Sequence, residues 1–208
     1  MKEIKQALAE VTQGMQTQLP IEVLTAFGDS IADLKTQEFG RVSEVGMAFP
    51  SVPVVDENEQ LISIVDLFKG KKALVSFVRG SWCPFCNVEL AHLMSYQKEL
   101  EEKGVEVIVV SPMNVALLKK WKAEMQMPFR IVQDWGLAIG KALGINFELQ
   151  DFVQPHYEAL GLDLKLLNQT EKVELSVPAV YFVDEEGMIG YRYLDVDYSN
   201  RLDLKSIL

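Results

Sequence analysis

Hydrophobic residues at helical spacing predict two helices at the start of the chain. The apolar positions are Ile4, Leu8, Val11 and Met15 in the first segment, and Leu24, Phe27, Ile31 and Leu34 in the second. Pro20 lies between the segments and suits the first turn of the second helix. Residues 1–40 are therefore predicted to form an N-terminal helical extension.

From residue 41 onward, short apolar runs alternate with amphipathic segments. The predicted strands are 52–55, 61–64, 73–78, 105–110, 129–132, 179–183 and 188–193. The predicted helices are 84–103, 115–125, 137–143 and a last one that Ser199 caps. Strands separated by helices of this length indicate a mostly parallel sheet, to which the last two strands add an antiparallel hairpin. The predicted fold class is α/β, a central mixed sheet flanked by helices over residues 41–208, with a packed insertion near 146–173.

Composition and charge narrow the classes of partner. The 208 residues include 20 Lys plus Arg against 30 Asp plus Glu, which gives a net charge of −10. This balance disfavours polyanions, so we expect no nucleic acid and no membrane as a partner. No stretch approaches the roughly 20 apolar residues of a membrane span, and the charged first residues do not resemble a secretory signal. These features predict a cytoplasmic protein.

The chain has only two cysteines, Cys83 and Cys86, and they stand at the start of a predicted helix. The N–H groups and the dipole of a helix N-terminus stabilise a thiolate, so one thiol is expected to have a pKa below the usual value of about 8.5. The sulfurs lie about one helical turn apart, which lets a disulfide form and break between them. This spacing favours redox chemistry.

Other uses of the cysteine pair fit the sequence less well. A zinc site would need four ligands, and His92 and His156 lack the paired spacing of zinc ligands. Haem attachment would need a histidine where Asn87 stands. An inert buried pair of thiols stays open as an alternative. We therefore expect neither a metal nor a cofactor.

Several stretches of the chain resemble the peroxiredoxin-like proteins of the alkyl hydroperoxide reductase and thiol-specific antioxidant family, which have a thioredoxin fold. The similarity extends roughly from Val45 to Arg201. It is carried by Gly46 to Pro50, by Phe-Val-Arg-Gly-Ser-Trp-Cys-Pro-Phe-Cys-Asn-Val-Glu from Phe77, by Asp134 ahead of residues 138–145, and by Val-Pro-Ala-Val-Tyr-Phe-Val-Asp from Val177. The resemblance implies a thioredoxin-like domain with a redox-active site.

The resemblance also implies roles for individual residues. Cys86 falls on the cysteine that attacks peroxide in the family pattern, and Cys83 takes the place of a threonine. Arg79 stands where the pattern has a proline; it could supply positive charge or be an ordinary surface arginine. Glu89 matches the glutamate three residues after the attacking cysteine, and Arg201 resembles the family's late arginine.

Two positions follow thioredoxins instead. Pro178 stands directly before a predicted buried strand, where the residues alone leave open a cis bond or simply the start of a strand. The resemblance to thioredoxins implies that the Val177–Pro178 bond is cis and beside the cysteines, with the backbone of Val177 free to pair with a substrate. Trp82, next to Cys83, is expected to form part of a partner-docking surface.

The favoured function is peroxide reduction by a thiol-dependent oxidoreductase. Cys86 would attack the peroxide and become a sulfenic acid, and Cys83 would resolve it to a disulfide. A thioredoxin-like or glutathione-type reductant would then reopen the disulfide. Two alternatives stay open, a protein-disulfide reductase in which Cys83 attacks, and a binding module whose cysteines only sense redox state. The N-terminal hairpin could form a homodimer contact or cover the domain.

Overall fold

The computed structural model describes residues 3–208; Met1 and Lys2 lie outside the described residues. The helices are α1 Ile4–Gln18, α2 Ile21–Leu34, α3 Pro84–Ser95, α4 Gln97–Glu102, α5 Val115–Met125, α6 Ala138–Leu143, α7 Gln154–Ala159 and α8 Leu164–Asn168. The strands are β1 Pro53–Val55, β2 Leu61–Ser63, β3 Lys72–Phe77, β4 Val105–Ser111, β5 Arg130–Gln133, β6 Asn146–Glu148, β7 Glu174–Ser176, β8 Ala179–Val183 and β9 Ile189–Leu194. Within this part of the chain, no helix is both long and apolar enough to cross a membrane.

Seven strands form one mixed sheet in the order β2-β1-β5-β4-β3-β8-β9. β3, β4 and β5 run parallel, and the other neighbouring strands pair antiparallel. Central strand β3 is buried on both faces, because Leu74 packs in one core cluster and Ala73 and Val75 pack in the other. The predicted α/β class, with a central mixed sheet flanked by helices, is confirmed.

Both predicted N-terminal helices are present. Ile4 of α1 is buried in the same core cluster as residues of α3. Helix α2 buries Val23 and Phe27 against the region of the predicted insertion. Leu24 and Ile31, which the spacing placed on the apolar face of α2, are only half-buried. The extension therefore packs on both the sheet domain and the insertion.

The region near residues 146–173 contains regular secondary structure, although its apolar residues follow no clear helical or strand period. It contains β6, α7 and α8, and β6 pairs antiparallel with β7 in a separate small sheet. Leu149, Val153 and Tyr157 are buried in one cluster with residues of α2. Its apolar side chains thus serve a core between the insertion and the extension.

Two predicted helices differ from the observed ones. The helix expected over 84–103 is divided at Tyr96, whose φ of −102° and ψ of 6° end α3 and precede α4. The final helix predicted from Ser199 is wrong, because both the N–H and the hydroxyl of Ser199 donate to the carboxylate of Asp197 in a turn. The last regular element is a short 3-10 helix, Leu204–Ser206, which Asp203 caps.

Candidate active site

The cysteine motif lies where central strand β3 leads into α3. Cys83 is the residue that precedes the first turn of α3, and Pro84 opens that turn. Gly80, in the connecting loop, has a φ of +153°, and a Cβ at this position would lie 2.6 Å from Nε1 of Trp82. A glycine is needed here so that the Trp82 ring can pack against the loop ahead of Cys83.

Both sulfurs are buried, and both cysteines are free thiols. Cys83 is 1% exposed and Cys86 is fully buried. The sulfur of Cys86 accepts hydrogen bonds from the backbone N–H of Arg79 and from Nη2 of Arg201, each at 3.4 Å. Residues 79 and 201 are far apart in sequence, so the fold brings two arginines to the cysteine pair. Nowhere in residues 3–208 do three His, Cys, Asp or Glu side chains group as a metal site requires.

Behind Cys86 lies a buried ion pair. Nε of Arg201 is 2.7 Å from Oε2 of Glu89, and the hydroxyl of Ser76 donates to Oε1 of Glu89 at 2.8 Å. Burial raises the pKa of Glu89 to about 7, although Arg201 acts in the opposite direction. Glu89 therefore acts on the cysteines through Arg201, whose Nη2 donates to the sulfur of Cys86.

The pKa values of the two thiols are shifted in opposite directions. Burial opposes ionisation of Cys83, but the hydrogen bond with Cys86 and the positive charges of Arg79 and Arg201 outweigh it and lower the pKa of Cys83. Burial, together with the hydrogen bond to and the charge of Cys83, raises the pKa of Cys86. The two thiols therefore lose their protons in separate steps, and the arginines favour one thiolate in the pair. The low pKa expected for one thiol agrees with this geometry, and the arginines contribute to it as well as the start of the helix.

Arg79 is not a surface arginine, since it is only 4% exposed. Its guanidinium lies over three aromatic rings, with its central carbon 4.7 Å from the ring centre of Trp82, 4.3 Å from that of Tyr198 and 5.6 Å from that of Tyr157. Nη2 of Arg79 also donates a short hydrogen bond to the hydroxyl of Tyr157. Among the described residues, no acceptor pairs with Nε of Arg79. This N–H is therefore a buried donor without an acceptor in that part of the chain.

A cavity of about 400 Å³ lies beside the motif. The apolar residues that the extension and the insertion contribute to it are Met15, Leu19, Phe27, Leu160 and Leu162. Cys83 and Arg79 line the cavity, whereas Cys86 is not among its lining residues. Of the two sulfurs, Cys83 is the one that a molecule in this cavity would meet.

The expectation for Pro178 is wrong. The Val177–Pro178 bond is trans, as are all peptide bonds of the described residues. The N–H of Val177 donates to the carbonyl of Ile145 at 2.8 Å, so it is not free to pair with a substrate. Pro178 is buried directly ahead of β8 and takes the alternative role, the beginning of a strand.

Sequence reasoning missed Tyr157 and Tyr198, both of which contact Arg79. Tyr157 lies in the insertion, where no period indicates a helix, and Tyr198 directly precedes the segment that the sequence predicts to be the last helix. The only sequence feature that singles out Tyr157 is a polar hydroxyl in an otherwise apolar stretch. This feature does not indicate that Arg79 is the residue it contacts. Trp82 is half-buried and lines the cavity, and its expected part in a docking surface stays a prediction.

Glu89→Gln should change how stability depends on pH. Between about pH 4.5 and pH 7, folded Glu89 keeps a proton that the unfolded chain has released, so raising the pH destabilises the fold. The shift corresponds to a loss of about 3 kcal/mol across this range. The variant should lack this loss when unfolding by denaturant is followed at pH 4.5 and 7.5. Burial also raises the pKa of Asp134, to about 6, but Asp134 is present in both proteins and cancels in the comparison. Parallel pH profiles of the two proteins would contradict the expected result.

Comparison with known proteins identifies the family. The sequence profile of the AhpC/TSA family matches residues 45–192, more than two thirds of the chain. Chloroplastic peroxiredoxin Q of Oryza sativa subsp. japonica is 27% identical over 110 residues, 53% of this chain and 50% of the relative. The thiol:disulfide interchange protein DsbE of Pseudomonas aeruginosa is 30% identical over 156 residues, 73% of this chain and 67% of the relative.

The solved structures show the same fold. Peroxiredoxin 6 of Arenicola marina, solved as a cysteine-to-serine mutant, superposes with a TM-score of 0.63 at 16% identity and covers 79% of this chain and 70% of that one. The chain spans about half the length of the peroxiredoxin Q relatives that it matches. On the extent of the profile match and on the thioredoxin-type fold, the chain belongs to the AhpC/TSA family.

Proposed function

We propose that this protein is a thiol peroxidase that reduces peroxides with the Cys83/Cys86 pair. The observation that carries the proposal is a buried pair of free thiols beside two buried arginines, next to a cavity that Cys83 lines. A thiolate is the nucleophile that peroxides react with, and a nearby thiol can convert the product to a disulfide. The chemistry thus needs neither metal nor cofactor.

We assign the attack to Cys83. Cys83 lines the cavity and has the lowered pKa, whereas Cys86 is fully buried, lies outside the cavity lining and has the raised pKa. The family pattern implies the opposite order, with Cys86 attacking. Both orders end in the same disulfide, and they differ in which single substitution leaves a reactive thiol.

Peroxide reduction by this pair takes place in two steps, oxidation of Cys83 and then disulfide formation with Cys86. The Cys83 thiolate attacks one peroxide oxygen, the O–O bond breaks, and the alkoxide leaves and takes a proton to become an alcohol. Arg79 lines the cavity, so its positive charge can stabilise the oxygen on which negative charge develops. The thiol of Cys86 then loses its proton, its sulfur attacks the Cys83 sulfenic acid, and water leaves as the disulfide forms. Arg201 stabilises the sulfur of Cys86 while it is negative.

External thiols complete the cycle, and the two thiol groups that supply the electrons end as a disulfide of the reductant. A thioredoxin-like or glutathione-type reductant attacks the disulfide, passes through a mixed disulfide, and returns both cysteines to thiols. We place this cycle in the cytoplasm, where thiols are kept reduced.

A second candidate function is protein-disulfide reduction. The observation that favours it is the order of the two pKa values, since a low-pKa first cysteine and a high-pKa second cysteine also suit attack on a disulfide. The same pair without either activity would be a redox sensor. The peroxidase consumes peroxide, the disulfide reductase consumes protein disulfides, and the sensor turns over neither. Turnover assays therefore distinguish the three functions.

Turnover assays test the proposal. The reduced protein, with a thioredoxin-type or small-thiol recycling system, is expected to consume hydrogen peroxide or an organic hydroperoxide faster than the recycling system alone. Reduction of insulin disulfides is expected to stay near the background rate. Insulin reduction without peroxide consumption would instead support the disulfide reductase, and reversible oxidation without either activity would support the sensor.

A further inference from the structure

Tyr157 reaches the active site from the insertion. It lies in α7, and its hydroxyl accepts a short hydrogen bond from Nη2 of Arg79. Its ring packs edge-on against Trp82, with ring centres 5.7 Å apart. On its other side, Phe27 of α2 packs with its ring centre 5.0 Å away. Tyr157 therefore links the N-terminal extension to the loop that carries Arg79.

Arg79 needs such a partner because of its own position. Its guanidinium is buried near both cysteines, and within residues 3–208 its partners include no carboxylate. Trp82 and Tyr198 attract the cation through their ring faces but leave it free to turn. The Tyr157 hydroxyl is a directional acceptor, and it fixes one terminal nitrogen.

We propose that Tyr157 is a positioning residue that holds the guanidinium of Arg79 beside the cysteine pair and so sets the reactivity of Cys83. In this way the insertion and the extension, which contribute no cysteine, set the reactivity of the thiols. The proposal deepens the proposed function and rests on it for the use of the thiolate, but the state of the thiolate can be measured without any peroxide.

Several charged and titratable groups face the sulfurs. Arg79 approaches from the loop after β3, and Arg201, backed by Glu89 of α3, approaches from the C-terminal segment. Tyr157 and Tyr198 stand behind Arg79. Loss of the Tyr157 hydroxyl leaves all the other groups in place, so its effect on the thiols can be separated from theirs.

Tyr157→Phe tests the proposal, because phenylalanine keeps the ring and removes only the acceptor. The pH midpoint of thiolate absorbance is expected to rise by up to about one unit. Alkylation by iodoacetamide, a small neutral probe, should slow by roughly 3- to 10-fold at a pH below the midpoint and match the unaltered protein above pH 8. Tyr191→Phe is the matched control, since Tyr191 packs on Phe182 in the sheet and is not among the rings around Arg79.

A double substitution separates positioning from a general structural effect. Arg79→Gln should raise the midpoint by itself, and adding Tyr157→Phe to it should change the midpoint no further. A Tyr157→Phe midpoint within about 0.2 units of the unaltered protein would overturn the proposal. Equal shifts in the presence and absence of Arg79 would overturn it as well. If the Tyr157→Phe shift appears but the protein does not turn over peroxide, the positioning role stands and the proposed peroxidase function fails.

Discussion

Cys83→Ser is expected to abolish the reaction with peroxide, whereas Cys86→Ser should react once and stop. Serine has no comparable nucleophilicity near neutral pH, so loss of the attacking sulfur should slow the reaction by at least about 10³-fold. In Cys86→Ser, Cys83 still faces the cavity and still has Arg79 beside it. Without a second thiol, the product should remain a sulfenic acid on Cys83.

Stopped-flow kinetics of the two single variants, with the double serine variant as the blank, measure this difference. A trapping reagent for sulfenic acids, followed by peptide mass analysis, locates the product. If Cys83→Ser reacts as fast as the unaltered protein and traps a sulfenic acid on Cys86, the attack belongs to Cys86, as the family pattern implies, and our assignment of the order is refuted.

Arg201→Met should destabilise the fold severely above pH 7. Arg201 is buried and is paired with Glu89, so its removal leaves a buried carboxylate without a counter-charge. Breaking a buried ion pair from one side costs about 3–5 kcal/mol. At pH 5 the cost should be smaller, because Glu89, whose pKa burial already raises, is then protonated. Denaturant unfolding at pH 5 and pH 8 measures both values.

Two further variants identify the cause of that loss. Glu89→Gln together with Arg201→Met removes both charges and should recover most of the stability at pH 8. Arg192→Met is the control for loss of an arginine, since Arg192 donates to the backbone carbonyls of Gly40 and Ser43. Its cost should be nearly the same at both pH values. A loss for Arg201→Met that does not depend on pH would contradict the account of the ion pair.

The parts of the site that are local in sequence could be predicted from the sequence. The spacing of Cys83 and Cys86 at a helix start, and a preceding strand buried on both faces, follow from short-range patterns and are present in the structure. The resemblance to peroxiredoxins singled out Glu89 and Arg201, and the fold brings the two together beside Cys86. Their roles in catalysis stay predictions.

The remaining features depend on contacts that no local pattern encodes. The last helix does not form because the carboxylate of Asp197 binds the backbone and the hydroxyl of Ser199. Tyr157 meets Arg79 across 78 positions of sequence, through an insertion without a clear period. The expected cis bond at Pro178 rested on a likeness to thioredoxins, and in this chain the proline simply precedes a strand.

The mass change on oxidation tests most directly whether peroxide converts Cys83 and Cys86 to a disulfide. The fully reduced protein is treated with one equivalent of peroxide, without any reductant, and its intact mass and peptides are then measured. We expect the loss of two hydrogen atoms and a peptide in which Cys83 and Cys86 are joined by a disulfide. An unchanged mass, with both cysteines still thiols after prolonged exposure, would contradict it.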